Sequence, residues 1–540
     1  MLNRRFARSI FSTLCGVLTF VAGACGEHEN SAGNATLLSG PQWYRHAVVY
    51  EVYVRSFQDS NHDGVGDFRG LTSRLGYLKE LGVDAVWLMP IMPTPFKDSG
   101  YDVADYFAVN PDYGTMAEFE AFLAAAHAQG IRVLIDLVLN HTSDQNAWFQ
   151  ESRSSRTNPK ADWYIWSDTP SSPEFTCGPA AGFGGSAWEY DAGRAQYYFH
   201  RFYAGQPDLN YRNPAVVDAT LGVARFWLEK GVDGFRCDVI GYLYESNAGC
   251  DGLPETHAYI RRLRAVLDEF PERVMVAEST NYLNASQYFG NGDDEFHMAF
   301  DFAFGYLWSV PLMAGDRALL DTAFGRALRT YPAGAQDALP IASHDVPRVW
   351  STSGETPWRY RLAALIQMTA KGTPFVYYGD ETATRPGTAV VVDDRDAART
   401  PMLWDATSGY GFSDAMPWIA YGVDGGTTNV AAERADPDSM LSYYKRLLAF
   451  RRGHAVWGDG EMALIDVGNK ALFVYTRSDA AESYLVVHNL TVTDQRGEAN
   501  LAPIGPPGAR VWGAGEATAN GDRLILQVPG QQSAIFRLGV

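Results

Sequence analysis

"IRVLIDLVLN", Ile131 to Asn140, decides how this 540-residue chain folds. Seven of its ten side chains are apolar, so a strand built from it has both faces buried, as strands do inside a parallel sheet. It follows a helical pattern near "MAEFEAFLAAAHAQG", and the same pairing recurs in both directions. Upstream stand "AVVYEVYV" from Ala47, a helix near "LTSRLGYLKELG", and "DAVWLMP" from Asp84. Downstream come the helix "VVDATLGVARFWLEKG", the strand "VDGFRCDVI", the helix "ETHAYIRRLRAVLDEF", and the strands "RVMVAES", "HMAFDF", "ALPIAS" and "PFVYY". Eight such strands separated by amphipathic helices predict an α/β fold, a (β/α)8 barrel over residues 42–140 and 214–457.

Two stretches depart from that rhythm. Residues 141–213 are rich in Trp, Gly, Ser and Pro and too long for an ordinary loop, which predicts a small domain inserted after the third strand. From about Gly458 to Val540 the pattern turns β-rich ("ALFVYTR", "SYLVVHNL", "RLILQVPG"), predicting an antiparallel terminal domain. At the other end, Arg4, Arg5 and Arg8 precede an apolar run from Ile10 to Ala24 that ends in "AGAC", the layout of an export signal over residues 1–24. The small residue before Cys25 suits lipidation of that cysteine, although Ala22 replaces the leucine usual in lipoprotein signals. The polar residues 25–41 then form a flexible tether. The expected location is outside the cytoplasm, periplasmic or anchored to the envelope, with secretion as the alternative.

Composition limits the partners. A net charge of −19 and a pI near 5.0 repel polyanions and exclude nucleic acid as an expected partner, while a neutral substrate is compatible. In an oxidising compartment Cys177 and Cys250, both in Gly-rich loop sequence, are candidates to pair, and Cys237, inside an apolar strand, reads as a buried free thiol.

On a (β/α)8 barrel, chemistry belongs at the C-terminal ends of the strands. Those ends supply Asp136, Asn140 and His141 from "DLVLNHTS", Arg236 and Asp238 from "GFRCDV", Glu278 from "VAES", and His344 and Asp345 from "SHDVPR". Any one carboxylate there reads most simply as a turn or salt-bridge residue. Together they gather like charges in one crevice, which destabilises a protein unless function holds them there.

"DLVLNH", "GFRCDV", "VAES" and "SHD", in this order and spacing, resemble the four signature segments of the α-amylase family of glycoside hydrolases. "QPDLN" from Gln206 and "GTPFVYYGDE" from Gly372 are similar to further family segments, and "RTPMLWD" from Arg399 is similar to its α-glucosidase branches. The resemblance implies a retaining hydrolase of α-glucosidic bonds, acting on an oligosaccharide or starch-like α-glucan. It implies Asp238 as the nucleophile, kept ionised by Arg236, with Glu278 as acid and base and Asp345 as the carboxylate that binds sugar hydroxyls. His344 and His141 would hydrogen-bond the same glucose, and Tyr101 and Asp102 of "SGYDVADY" would form its stacking platform and hydroxyl clamp.

The same resemblance gives a meaning to "DSNHDGVGDFRG", Asp59 to Gly70. Oxygen-bearing side chains alternate as in the start of an EF-hand, but Gly70 stands where the closing glutamate belongs. In this branch of the family a calcium loop follows the first strand, so Asp59, Asn61, Asp63 and Asp67, with the Val65 carbonyl, are the expected ligands of a structural Ca2+. A solvated acidic turn is the plainer reading of the same residues.

The branch is mixed. "QPDLN" and Val239 resemble oligo-1,6-glucosidases, and Arg348 paired with Asp102 is expected to close a pocket around a non-reducing glucose, giving exo action. Ser343 in place of asparagine resembles neopullulanases, and "LPETHAYIRRLRAVLDEFPERVMVAES" is similar to trehalose synthases. An endo-acting α-amylase of broad specificity and a trehalose-synthase-like isomerase or transglucosylase are the alternatives. A catalytically dead binding subunit would have lost a carboxylate, and this chain keeps all three.

Overall fold

The computed structural model describes residues 37–171, 182–246, 249–279 and 285–539. The export signal, Cys25, most of the tether and Cys177 lie outside the described residues. No helix among the described residues is long and apolar enough to cross a membrane.

Eight parallel strands close into a barrel, as the alternation of the sequence predicts. They are β1 (Val49–Val52), β2 (Ala85–Leu88), β3 (Arg132–Leu137), β7 (Gly234–Cys237), β8 (Val274–Ala277), β9 (Met298–Phe300), β10 (Gln336–Pro340) and β11 (Thr373–Tyr377). The closure runs β1-β11-β10-β9-β8-β7-β3-β2. The wider core lies between these strands and the surrounding helices, where the apolar stripes of helices such as Pro214–Lys230 and Pro254–Asp268 are buried. Pro at the first turn and Asn213 as a hydrogen-bonding cap start the first of these, and left-handed Gly231 ends it.

Strand parity places the site. Val49, Ala85, Trp87, Leu134, Val276, Phe300 and Phe375 form the inner cluster that fills the barrel. Side chains alternate between the two faces of a strand, so one step further up, at Glu51, Asp136 and Glu278, the same inward face turns polar. Arg236 pairs in register with both Asp136 and Val276, which puts it and Asp238 on that inward face as well. Beneath Arg236 the residue has to be glycine: Gly234 has φ +153°, and a Cβ there would meet the Val274 carbonyl oxygen at 1.9 Å.

Between β3 and β7 the chain forms a small antiparallel sheet of β4 (Trp166–Ser167), β5 (Trp188–Asp191) and β6 (Gln196–Phe199), in the order β4-β6-β5. It packs on the helix Ala147–Ser154 through Phe149, Trp166 and Tyr198. After the helix Val456–Asp459 the chain is all β. A five-stranded sheet holds β12 (Glu461–Leu464), β13 (Leu472–Ser478), β14 (Ser483–Asn489), β16 (Pro507–Gly513) and β19 (Ser533–Leu538). A three-stranded sheet holds β15 (Gln495–Asn500), β17 (Glu516–Asn520) and β18 (Arg523–Val528). All their pairings are antiparallel, and a core that includes Val474, Leu485, Leu526 and Phe536 draws on both sheets. Buried Arg477 ties this part to the barrel by donating to the carbonyls of Thr369, Ala370 and Trp457.

Candidate active site

One guanidinium organises the floor of the barrel mouth. Arg236 is 2 % exposed and donates through Nη1 to Asp136 Oδ1 at 2.9 Å and to Asp238 Oδ1 at 2.7 Å. Its Nη2 lies 2.8 Å from Glu278 Oε2. Three carboxyls therefore share one cation, and Asp238 and Glu278 are bridged through its two terminal nitrogens. Glu278 Oε2 also accepts the backbone N–H of Val239 at 2.8 Å, and the Glu278 carboxyl is hydrogen-bonded with Asp238. Asp136 is further pinned by Tyr101 Oη at 2.9 Å and Trp87 Nε1 at 3.2 Å.

The electrostatics follow from this crowding. Burial raises the proton affinity of Asp238, Arg236 opposes the rise, and the Glu278 and Asp136 carboxyls add to it, so Asp238 stands well above the ordinary carboxylate range. Burial likewise outweighs Arg236 at Asp136, which is pushed up to about 6. Carboxyls this close titrate as a group.

The second wall is cationic. His344 Nδ1 meets Glu51 Oε1, and its Nε2 faces Asp345 Oδ2 at 3.2 Å and Tyr101 Oη at 2.8 Å. Burial disfavours the imidazolium, but Asp345 and Glu51 prevail and raise His344 to about 9. Asp345 also binds Arg395 Nη1 at 2.9 Å and Arg399 Nη2 at 3.3 Å. Burial resists its ionisation, yet His344, Arg395 and Arg399 hold it well below the usual carboxylate range. Arg395 then reaches across to Asp98 Oδ1 at 2.6 Å, and Gln206 Nε2 holds the other Asp98 oxygen at 3.0 Å.

These groups line one cavity of about 460 Å³. Asp98, Tyr101, His141, His344, Asp345 and Arg395 make its polar part, Asp238 and Glu278 face it, and Phe183, Phe202, Tyr242 and Val346 make its apolar part. His141 is buried neutral, pushed down to about 4 by desolvation, with Nε2 3.2 Å from the Tyr101 carbonyl oxygen. The set is a carboxyl pair bridged by one cation, a third ionised carboxylate, and an aromatic ring stacked on a charged histidine: Tyr101 and His344 lie 5.2 Å apart at 17°. It suits the breaking of a glycosidic bond.

The catalytic-domain model of alpha amylase matches residues 51–460, the span that carries every group just described. This chain belongs to the α-amylase family. It is 36% identical over 515 residues to a probable alpha-glucosidase of Rhizobium meliloti (strain 1021), covering 86% of this chain and 92% of that protein. It is 38% identical over 535 residues to the trehalose synthase/amylase TreS of Mycolicibacterium smegmatis, covering 88% and 89%. The crystal structure of the isomaltulose synthase SmuA from Protaminobacter rubrum superposes with a TM-score of 0.82 at 28% identity, over 93% of this chain and 100% of that one. An α-amylase-family catalytic domain with such relatives makes the protein a glycoside hydrolase acting on α-glucosidic bonds.

Two residues read from sequence as pocket walls stand elsewhere in this α-amylase-family barrel. Asp102 is fully buried and turns away from the cavity, accepting from Thr94 Oγ1 at 2.7 Å and from the backbone N–H groups of Lys97 and Asp98. It braces the loop that carries Asp98. Arg348 does not meet it: its guanidinium lies over the rings of Tyr377 and Tyr378, 4.6 and 4.8 Å from their centroids, and donates to the Tyr378 carbonyl. The acid and arginine that pair at the cavity are instead Asp98 and Arg395. Asp98 sits one residue before "SGYDVADY", and Arg395 four residues before Arg399, so both lay beside segments the sequence had singled out. Glu51, the partner of His344, was likewise unread although it sits in the first strand.

The Asp59–Gly70 loop is bonded to itself. Asp59 Oδ1 accepts the N–H groups of Asn61 and His62 at 3.0 and 2.8 Å, and its Oδ2 accepts Gly64 N–H at 2.9 Å. Asp67 accepts from Ser60 and caps the next helix at Gly70 N–H, 2.7 Å away, while Asp63 accepts Val65 N–H at 2.8 Å. The donor set is all oxygen, as calcium prefers. Among the described residues, however, no three His, Cys, Asp or Glu side chains converge on one metal position. Of the cysteines, Cys237 is a buried free thiol on β7, as expected, and Cys250 is disulfide-bonded. Its expected partner, Cys177, lies outside the described residues.

Proposed function

We propose that the protein is a retaining, exo-acting α-glucosidase of oligo-1,6-glucosidase type that removes single glucose units from the non-reducing ends of starch-derived or isomalto-oligosaccharides. The observation that carries the exo reading is the bridge from Asp345 through Arg395 to Asp98, which walls one end of the cavity. A dead-end pocket of this kind admits one sugar ring, whereas an endo-acting enzyme needs a cleft open at both ends.

In this reading Asp238 attacks the anomeric carbon with the oxygen not held by Arg236, while Glu278 gives a proton to the departing glycosidic oxygen. A β-glucosyl ester on Asp238 results, and Glu278 then takes a proton from the water that releases glucose with its α configuration retained. Retention requires the two carboxyls about 5–5.5 Å apart, and one guanidinium reaches both, Asp238 at 2.7 Å and Glu278 at 2.8 Å. Asp345, held ionised, and the charged His344 bind the hydroxyls of the distorting ring, and Tyr101 stacks on its apolar face. The test is a product time course on maltotriose, isomaltose, panose and soluble starch. Glucose as the first product supports the pocket, and early maltose and longer fragments from starch make the enzyme an endo-acting α-amylase or neopullulanase-like.

The likeness to a trehalose synthase/amylase favours a second reading, in which the cleaved glucose is retained and rejoined. The roof of the pocket lends it support: Phe183 stacks on Tyr203 at 4.5 Å, and Tyr203 Oη bonds Asp393, a neighbour of Arg395. Incubation with maltose separates the two, since trehalose appears only under the isomerase reading. A structural Ca2+ held by Asp59, Asn61, Asp63, Asp67 and the Val65 carbonyl belongs to this proposal, as do export and lipidation at Cys25. The first rests on the loop's oxygen donors and the others on the basic and apolar N-terminal run.

A further inference from the structure

Val239 follows the candidate nucleophile and has a backbone that such a residue rarely adopts. Its φ is +34° and its ψ 41°, in the left-handed region where a β-branched side chain is strained. The chain on either side fixes this geometry. Asp238 N–H donates to the Leu137 carbonyl at 3.1 Å, and the Val239 carbonyl accepts Tyr242 N–H at 3.0 Å at the start of the turn Ile240–Tyr242. The left-handed turn sends the Val239 N–H to Glu278 Oε2 at 2.8 Å. The Glu278 carboxyl is also held by Arg236 Nη2 on the same oxygen and hydrogen-bonded with Asp238, and its backbone N–H is bonded to the Cys237 carbonyl at 3.0 Å. One peptide unit is thus covalently joined to one candidate catalytic carboxyl and hydrogen-bonded to the other.

We infer that Val239 is a positioning residue whose strained left-handed backbone sets the spacing of Asp238 and Glu278 by delivering its N–H to Glu278 Oε2. The inference rests on the reading of those two carboxyls as nucleophile and acid/base. It goes beyond that reading by locating the device that keeps them in register. A relaxed, right-handed or extended residue 239 would rotate its N–H away from Glu278. Two consequences follow for the acid. The carboxyl loses the N–H donor that holds Oε2. It also loses a restraint on where it points, which matters most when the leaving group needs a proton.

The test compares Val239→Gly with Val239→Ala. The flanking bonds remain in both variants; within them glycine samples a wider range of φ and ψ and holds its N–H less firmly on Glu278 Oε2, whereas the alanine Cβ keeps residue 239 in the same narrow left-handed well. With maltose, whose departing oxygen must be protonated, kcat of Val239→Gly is expected to fall about tenfold or more. With α-glucosyl fluoride, which departs without a proton, it is expected to fall less than about threefold. The melting temperature should not fall, because glycine accepts the left-handed backbone without steric cost. Val239→Ala should retain the wild-type ratio of the two substrates, which a role of the valine side chain in packing would not give. A folded glycine variant that turns over both substrates at wild-type rates would overturn the inference and make the strain incidental. So would equal losses on both substrates in the two variants. A Glu278→Gln enzyme with normal turnover on maltose would instead remove the underlying assignment, so the two failures are distinguishable.

Discussion

Replacing Arg395 with alanine should convert the proposed pocket into an open cleft. The guanidinium binds Asp98 at 2.6 Å, Asp345 at 2.9 Å and Asp393 at 3.0 Å, and it lies 4.8 Å from the centroid of the Phe183 ring. Without it the Asp98 carboxylate keeps Gln206, while Asp345 keeps His344 and Arg399. A charge-assisted hydrogen bond is worth about 1.5–3 kcal/mol. Loss of one such bond to a terminal glucose therefore predicts a fall in kcat/KM of roughly 10- to 100-fold on maltose or isomaltose. On soluble starch the loss should be smaller, because longer chains gain binding where the wall stood, and early products should shift from glucose to longer fragments. Arg395→Lys keeps the charge without the planar fork and should fall between. The assay is initial rates on the disaccharides with chromatography of early starch digests, and a melting curve confirms that each variant is folded. An alanine variant that still releases glucose first from starch, with kcat/KM on maltose unchanged, would refute the wall.

The remaining predictions concern chemistry, pH and metal. Glu278→Gln should lose about 10²–10⁴ in turnover on substrates with poor leaving groups while keeping its fold; near-normal rates in the purified variant would end the acid assignment. Stability should decline on both sides of neutrality. His344, raised to about 9 from an ordinary value near 6.5, contributes fully below pH 6.5 and loses that contribution as pH rises through 9. His141, lowered to about 4, and His297 and His488, each lowered to about 3, are buried neutral. The unfolded chain takes protons there that the folded chain refuses, so stability should fall as pH drops from about 6.5, by about 3 kcal/mol for His141 alone by pH 4. A melting temperature flat from pH 4 to pH 9 would contradict both. If the Asp59–Gly70 loop holds Ca2+ in the native state, a chelator should lower the melting temperature and Asp63→Ala should abolish that sensitivity; identical curves would leave the loop as the self-bonded turn.

The barrel was legible because its signal is periodic. Apolar runs flanked by amphipathic helices mark each strand, and the two-residue alternation carries Arg236 and Asp238 onto one face together. The cluster of Asp238, Glu278, His344 and Asp345 was legible for the same reason, since each lies at or just beyond the end of a strand. What the sequence placed wrongly depends on side-chain direction within loops, where no period applies. Asp102 adjoins Tyr101 but points the opposite way, into the backbone of residues 97–98. Arg348 follows Asp345 closely, yet its side chain turns under Tyr377 and Tyr378. Arg395 comes from a short helical turn, Asp394–Ala398, fixed by the capping bonds of Asp393 and Asp396, and only the fold brings it across the mouth to Asp98. The left-handed backbone of Val239 is also invisible in sequence, because a valine gives no hint of a positive φ.

The measurement closest to the central claim is mass spectrometry of the enzyme after brief reaction with 5-fluoro-α-glucosyl fluoride, which forms the glucosyl ester quickly and hydrolyses it slowly. Digestion should then yield one peptide heavier by a single fluoroglucosyl group, with fragmentation placing it on Asp238 and none on Asp238→Asn. A label on Asp136, Glu278 or Asp345, or no label from an enzyme that turns the reagent over, would contradict the account of a carboxylate nucleophile on β7 facing a paired acid on β8.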